Sequence, residues 1–158
     1  HIRWKDYKGQ SMRKLFDMEL SQQDELLMEN TARGDILLSS TQGGMFRGER
    51  LRGNVMPLGM CVTCTPGSGR NHIDMSLALE TDDESQILMN VSAHLHLEPE
   101  LEQKLIEGKA IPPDEYYYKG VVKFDAGKAG YKWLEERVFV CAGVICDWSR
   151  LRFSVYEV

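Results

Sequence analysis

The sequence predicts an all-β domain, a barrel or a sandwich, with one short helix. Three observations carry that prediction. Residues 73–81 alternate cleanly, with Ile73, Met75, Leu77 and Leu79 on one face and His72, Asp74, Ser76, Ala78 and Glu80 on the other. A period of two marks a half-buried strand. Gly, Pro and Asp clusters break the chain into short runs at hairpin spacing, the rhythm of all-β folds. Only residues 98–107 read as a helix: Pro99 sits in the first turn, Leu101 and Leu105 are four apart, and Gly108 closes the end.

Taken in order, residues 12–20 form a first strand with Phe16, Met18 and Leu20 on one side. Residues 21–34 are polar apart from Leu26-Leu27 and read as a long connection. Their Arg33-Gly34-Asp35 is read as a turn. Residues 35–40 are a second strand, and Gly43, Gly44, Gly48 and Gly53 divide residues 41–57 into strand pieces joined by bulges or bends. This run lacks the Gly-Lys-Ser/Thr ending of a phosphate loop. Further strands are expected at 60–65, 73–81 and 86–91, in the tyrosine run after Ile111-Pro112-Pro113, at 138–141 and at 151–158. Residues 125–130 make a loop by composition.

A chain of 158 residues fits one domain with a core of its own. Residues 1–11 carry no strand or helix pattern ahead of Met12 and read as a vector-derived leader, leaving 12–158 as the domain. The formal charge of −5, from 24 acidic and 19 basic residues, is spread along the chain. It argues against nucleic acid and anionic membranes as partners, which need a concentrated basic patch. No apolar run approaches a transmembrane length. Four cysteines without a secretory framework read as reduced thiols, so a cytoplasmic setting is expected.

The Gly-Gly-x-Phe-x-Gly-x-x-Leu-x-Gly-x-Val run of Gly43, Gly44, Phe46, Gly48, Leu51, Gly53 and Val55, the Pro113-x-Glu115-Tyr116-Tyr117 opening, the Phe124-Asp125-x-Gly127 turn, Tyr131-x-Trp133-Leu134 and the terminal Val155-Tyr156-Glu157-Val158 together resemble the family catalogued as domain of unknown function 3237. The resemblance covers nearly all of residues 12–158. It implies a closed antiparallel β-barrel, lipocalin-like or allene-oxide-cyclase-like, around an interior cavity. The chain also departs from the family. Cys61-Val62 stands where relatives commonly show Asp-Trp, and Asn90-Val91-Ser92-Ala93 stands where they show an Arg-Asn-Arg-Gly-like segment.

Several constellations bear on chemistry. Cys61-x-x-Cys64 lies on a strand, where residues three apart face opposite ways, and Cys141 and Cys146 belong to an apolar run. All four read as core thiols rather than a zinc or redox site. His94, His96 and Glu98 would share one face of a strand and could hold a metal. Glu98-Pro99 begins a helix, which favours a solvated loop instead. No metal and no cofactor are expected. The fit to an Asn90-x-Ser92 glycosylation acceptor carries no weight in a cytoplasmic chain.

If the barrel's polar strand faces line the lumen, Asp74, Tyr117 and His72 become catalytic candidates and Arg52 and Asn90 ligand-binding ones. On an open sheet the same residues are simply the wet outer face. The resemblance supports Asp74, as an acid common at that position, and Arg52 and Tyr117, within matched motifs. Two functions stay open. One is a cofactor-independent isomerase, cyclase or lyase working by proton transfer on a small carbonyl or aromatic metabolite. The other is a carrier that holds a small apolar or aromatic ligand unchanged. A small-molecule ligand is expected in either case, and a two-fold homodimer is the expected assembly.

Overall fold

A computed structural model of the chain describes residues 12–158; the expected leader, residues 1–11, lies outside the described residues. Eight antiparallel strands close into one barrel in sequence order. They are β1 (Arg13–Thr31), β2 (Gly34–Arg47), β3 (Arg52–Gly67), β4 (Arg70–Thr81), β5 (Gln86–His96), β6 (Tyr117–Ala126), β7 (Phe139–Ile145) and β8 (Arg150–Glu157). One helix, α1 (Pro99–Ile106), joins β5 to β6, and a 3₁₀ segment, Ala129–Glu136, joins β6 to β7. The expected barrel and single short α-helix are both present.

The expected alternation on β4 is there: Ile73, Met75, Leu77 and Leu79 are buried inside the barrel, as are Ile87, Met89, Val91 and Ala93 on β5. The two ends of the barrel differ. At one end the rings of Phe16, Phe46, Phe124 and Phe139 meet at centroid distances of 5.0–6.1 Å. The 3₁₀ segment crosses beneath them, with Leu134 buried. Its Glu135 carboxylate accepts the Ala126 backbone N–H at 2.8 Å, and Arg50 lies over the Trp133 ring at 3.6 Å. This end is plugged.

The other end is open because the wall is uneven. The polar stretch 21–34, expected to be a connection, is mostly strand: β1 runs on to Thr31, paired with β2. Its last ladder contact with β8 is Ser21 to Arg150. Beyond that point one side of β1 has no strand partner, and Leu26 and Leu27 are exposed. Closure gives each strand two neighbours, so a free edge, one ground for expecting a homodimer, is limited to upper β1 and to the parts of β6 and β7 beyond their short ladder, Lys119–Val122 with Phe139–Ala142. Helix α1 packs at the open end through Leu101 and Leu105. Among the described residues no helix is long and apolar enough to cross a membrane.

Candidate functional site

The open half of the barrel encloses a cavity of 620 Å³, within the range of small-molecule sites. Ile73, Leu95, Leu97, Ile145 and Leu151 give it apolar walls, and α1 contributes Leu105. Polar groups are as numerous. Tyr118, Cys61, Gln22, Ser39, Thr63 and Asn71 are among them, and Asp24, Glu25, Asp35 and Glu102 add carboxylates.

Tyr118 is placed by the parity of β6, whose buried residues are Tyr118, Val122, Phe124 and Ala126. Its ring meets Phe153 edge-on at 5.3 Å and lies against the backbone of Gly143. A Cβ at Gly143 would come within 2.8 Å of two ring carbons, so glycine there makes room for the ring. Tyr118 is 4% exposed. Burial pushes its phenol well above the ordinary tyrosine value, with the Cys61 and Cys141 thiols and Tyr116 adding to the effect. No hydrogen bond from a described residue opposes that shift. Among the described residues the only sealed, unpartnered side-chain hydroxyls are those of Thr41 and Ser85, so the Tyr118 hydroxyl faces the cavity's open space. It is a neutral donor without a partner. The Cys61 thiol is likewise pushed up by burial, against hydrogen bonds with Thr63 and Gln22. It stays protonated and is a weak nucleophile.

At the mouth, Asp24 bridges the gap between upper β1 and the β7–β8 turn. Trp148 Nε1 donates to its Oδ2 at 3.0 Å, and Ser39 Oγ donates to its Oδ1 at 3.1 Å. Asp24, Cys61 and Tyr118 all line the same cavity. The turn that presents Trp148 is built on Asp147. Its Oδ1 accepts the backbone N–H groups of Ser149 and Arg150, each at 2.9 Å, and its Oδ2 accepts Arg150 Nε at 2.8 Å. Arg150 chiefly holds the Asp147 carboxyl down at about 2. The folded value lies below the unfolded one, so this group's stabilising contribution is complete above about pH 4 and fades as pH falls toward 2. Acid titration is expected to show a Trp fluorescence step in that window that Asp147→Asn removes. An unchanged step in that variant would mean the turn is held by something else.

The five site residues expected from sequence are not brought together in this cavity; they lie on the outer wall. Arg52 is at the plugged end, 3.4 Å from Asp82, with both side chains about two-thirds exposed. Asp74 and His72 are 3.3 Å apart on the outer face of β4. Asn90 accepts Ser76 Oγ at 2.8 Å on the neighbouring outer face. Tyr117 is 49% exposed, with its ring 5.6 Å from that of His96. The reason is physical: the lumen is this protein's core, and the apolar side of each strand goes there. A lumen-facing Arg52 and Asp74 would have to be desolvated, at a cost that only pairing offsets.

His94 belongs to the same outer patch, with its ring 5.0 Å from His72 and 6.4 Å from His96. Glu98 occupies the N-cap position of α1, without a side-chain capping hydrogen bond. Among the described residues no three His, Cys, Asp or Glu side chains are placed to hold a metal. All four cysteines are free thiols, three of them buried. Of the two departures from the family pattern, Cys61 lines the cavity and Asn90 does not. Tyr118, Asp24 and Trp148 were not among the expected site residues.

Curated relatives of this chain are named UPF0311 proteins. A UPF0311 protein of Rhodopseudomonas palustris (strain TIE-1) is 29% identical over 99 residues, 62% of this chain and 64% of that protein. The chain therefore spans a little under two thirds of the length of that relative. Among solved structures, the conserved protein of unknown function RPA1785 from Rhodopseudomonas palustris superposes with a TM-score of 0.86 at 22% identity, covering 93% of this chain and 96% of that one. An enzyme from Penicillium herquei superposes with a TM-score of 0.66 at 17% identity, covering 93% and 92%. At these identities the likeness is one of fold. The family described as Protein of unknown function (DUF3237) matches residues 10–158, nearly the whole chain, and the chain belongs to it.

Proposed function

We propose that this protein holds a small, largely apolar molecule in the open half of the barrel and moves a proton on it. The reading rests on one observation, the Tyr118 phenol, on a side chain 4% exposed and without a hydrogen-bond partner among the described residues, lining a 620 Å³ cavity. A phenol on a largely buried side chain, with no partner among the described residues, offers a ligand oxygen a hydrogen bond worth about 1 kcal/mol. In this reading Tyr118 donates to a carbonyl oxygen. Asp24, oriented by Ser39 and Trp148, takes the proton from the adjacent carbon. The C–H electron pair forms the enolate double bond, the charge moves to the oxygen under Tyr118, and the proton is returned at the same or a conjugated carbon. That is isomerase-type chemistry using side chains alone. A neighbour of the same fold is described as an enzyme, which supports looking for turnover. The apolar walls of Ile73, Leu95, Leu97 and Leu151 favour a second reading, a carrier without catalysis.

Titrating the protein with an aryl methyl ketone such as 2-acetylnaphthalene, followed by tryptophan fluorescence, tests the site. Tyr118→Phe is expected to weaken binding about five- to tenfold, the value of one hydrogen bond of about 1 kcal/mol. Tyr117→Phe, one residue away on the outer wall, is expected to leave it unchanged. Equal affinity for wild type and Tyr118→Phe, or a loss in Tyr117→Phe, would remove the lumen as the site.

A further inference from the structure

The charge of the cavity lining is one-sided. Asp24, Glu25, Asp35 and Glu102 all line it, and among the described residues no Lys, Arg or His does, although the whole chain carries 19 Lys and Arg residues. Among the described residues none of these four carboxylates makes an ion pair; the charged partners lie elsewhere on the surface. Their local contacts are with neutral donors. Ser40 Oγ donates to Glu25 at 2.5 Å and the Asn30 backbone N–H to Asp35 at 3.0 Å; Asp24 has Ser39 and Trp148. Glu102 sits in the first turn of α1, where the helix dipole favours an acid, but that does not explain the missing bases. Trp148, 52% exposed at the same mouth, adds an indole of the kind that receives cations.

We infer that the ligand is an apolar or aromatic frame with an oxygen that meets Tyr118 and a protonated amine at the mouth, and that carboxylate- or phosphate-bearing molecules are turned away. This rests on the lumen being the ligand site. The Tyr118 hydroxyl, on a side chain 4% exposed and without a partner among the described residues, supplies the oxygen-recognising half of the pattern, and the acidic rim supplies the other. Carboxylates roughly 8–10 Å from a ligand cation in water-like surroundings, partly screened by salt, are worth about 1.8-fold each, so the four together favour a cation over its neutral analogue about tenfold. An anion is disfavoured by a similar factor. Because the mouth is open to water, salt at half-molar and above screens most of this.

The experiment uses one naphthalene frame bearing an aminoethyl, a hydroxyethyl or a carboxymethyl arm, titrated calorimetrically into the whole protein at low and high salt. The aminoethyl compound is expected to bind about tenfold more tightly than the hydroxyethyl one, and the carboxymethyl compound most weakly. High salt and the Asp35→Asn, Glu102→Gln double variant should each shrink the amine's advantage to about threefold or less. Equal or tighter binding of the carboxymethyl compound overturns the inference, as does an amine preference that survives both high salt and the double variant. If the hydroxyethyl compound binds and Tyr118→Phe weakens it, yet charge does not rank the series, the lumen reading stands and the cation preference falls. If none of the three binds, both fall.

Discussion

Replacing Phe16 by alanine is expected to destabilise the protein by about 3–5 kcal/mol, a large share of the 5–15 kcal/mol that holds a typical domain folded. Phe16 is fully buried. Its ring touches Phe46 at 5.2 Å and Phe124 at 6.1 Å, and Phe124 in turn meets Phe139 edge-on at 5.0 Å. The chain around it has little room to collapse: a Cβ on Gly48 would already lie 2.0 Å from the Leu15 carbonyl oxygen and 3.1 Å from the Phe16 Cβ. The void left by the missing ring therefore stays largely open, and its cost adds to the lost transfer energy. Urea unfolding should show a lower midpoint at unchanged slope, and the thermal midpoint should fall by roughly 10 °C. Leu88→Ala, on the exposed outer wall, is the control and should shift stability by about 0.5 kcal/mol or less. A Phe16→Ala loss below about 1 kcal/mol would show that the plugged end is not the tightly packed core described here.

The plug was legible in part. Phe16 and Phe139 belong to runs whose apolar character marks strands, and the period of two on residues 73–81 is the alternation seen in the barrel. The sequence does not say whether the polar side of a strand faces the lumen or the solvent, and the five expected site residues turned on that choice. The β6 segment holds the deciding signal: Lys119, Lys123 and Asp125 share a face with Tyr117, while Val122, Phe124 and Ala126 share one with Tyr118. Three charges cannot be buried cheaply in a small lumen, so the parity selects Tyr118.

Asp24 was hidden for a different reason. It lies where β1 has passed its last contact with β8, both faces are wet, and no hydrophobic period survives to mark a strand. Its hydrogen bond with Trp148 spans 124 residues of sequence. Contacts of that kind are created by barrel closure and leave no local trace. The Tyr131-x-Trp133-Leu134 step was visible as a motif, but its role, a 3₁₀ segment closing the floor with Leu134 and Glu135, depends on the four phenylalanine rings above it.

Asp24→Asn is expected to slow proton exchange on a bound aryl methyl ketone by a factor of about 10²–10⁴, the usual contribution of a positioned general base. The amide keeps the shape of the carboxylate and one acceptor oxygen, so either Trp148 or Ser39 can still be met. What it loses is the ability to take a proton at neutral pH. Uptake of deuterium from D₂O into the methyl group of 2-acetylnaphthalene, read by mass spectrometry with and without protein, follows the step without knowledge of the natural product. Binding of the ketone, which depends on Tyr118 and the apolar walls, should change by less than about threefold in the same variant, on the order of a lost rim contact. The split between exchange and binding separates the two readings of the lumen. Wild-type exchange above the buffer rate, lost in Asp24→Asn with binding kept, makes the barrel a proton-transfer catalyst with Asp24 as its base. Binding by both proteins with exchange at the buffer rate in both makes it a carrier. Exchange that persists undiminished in Asp24→Asn removes this carboxylate from the chemistry and leaves the base to be sought elsewhere in the lumen.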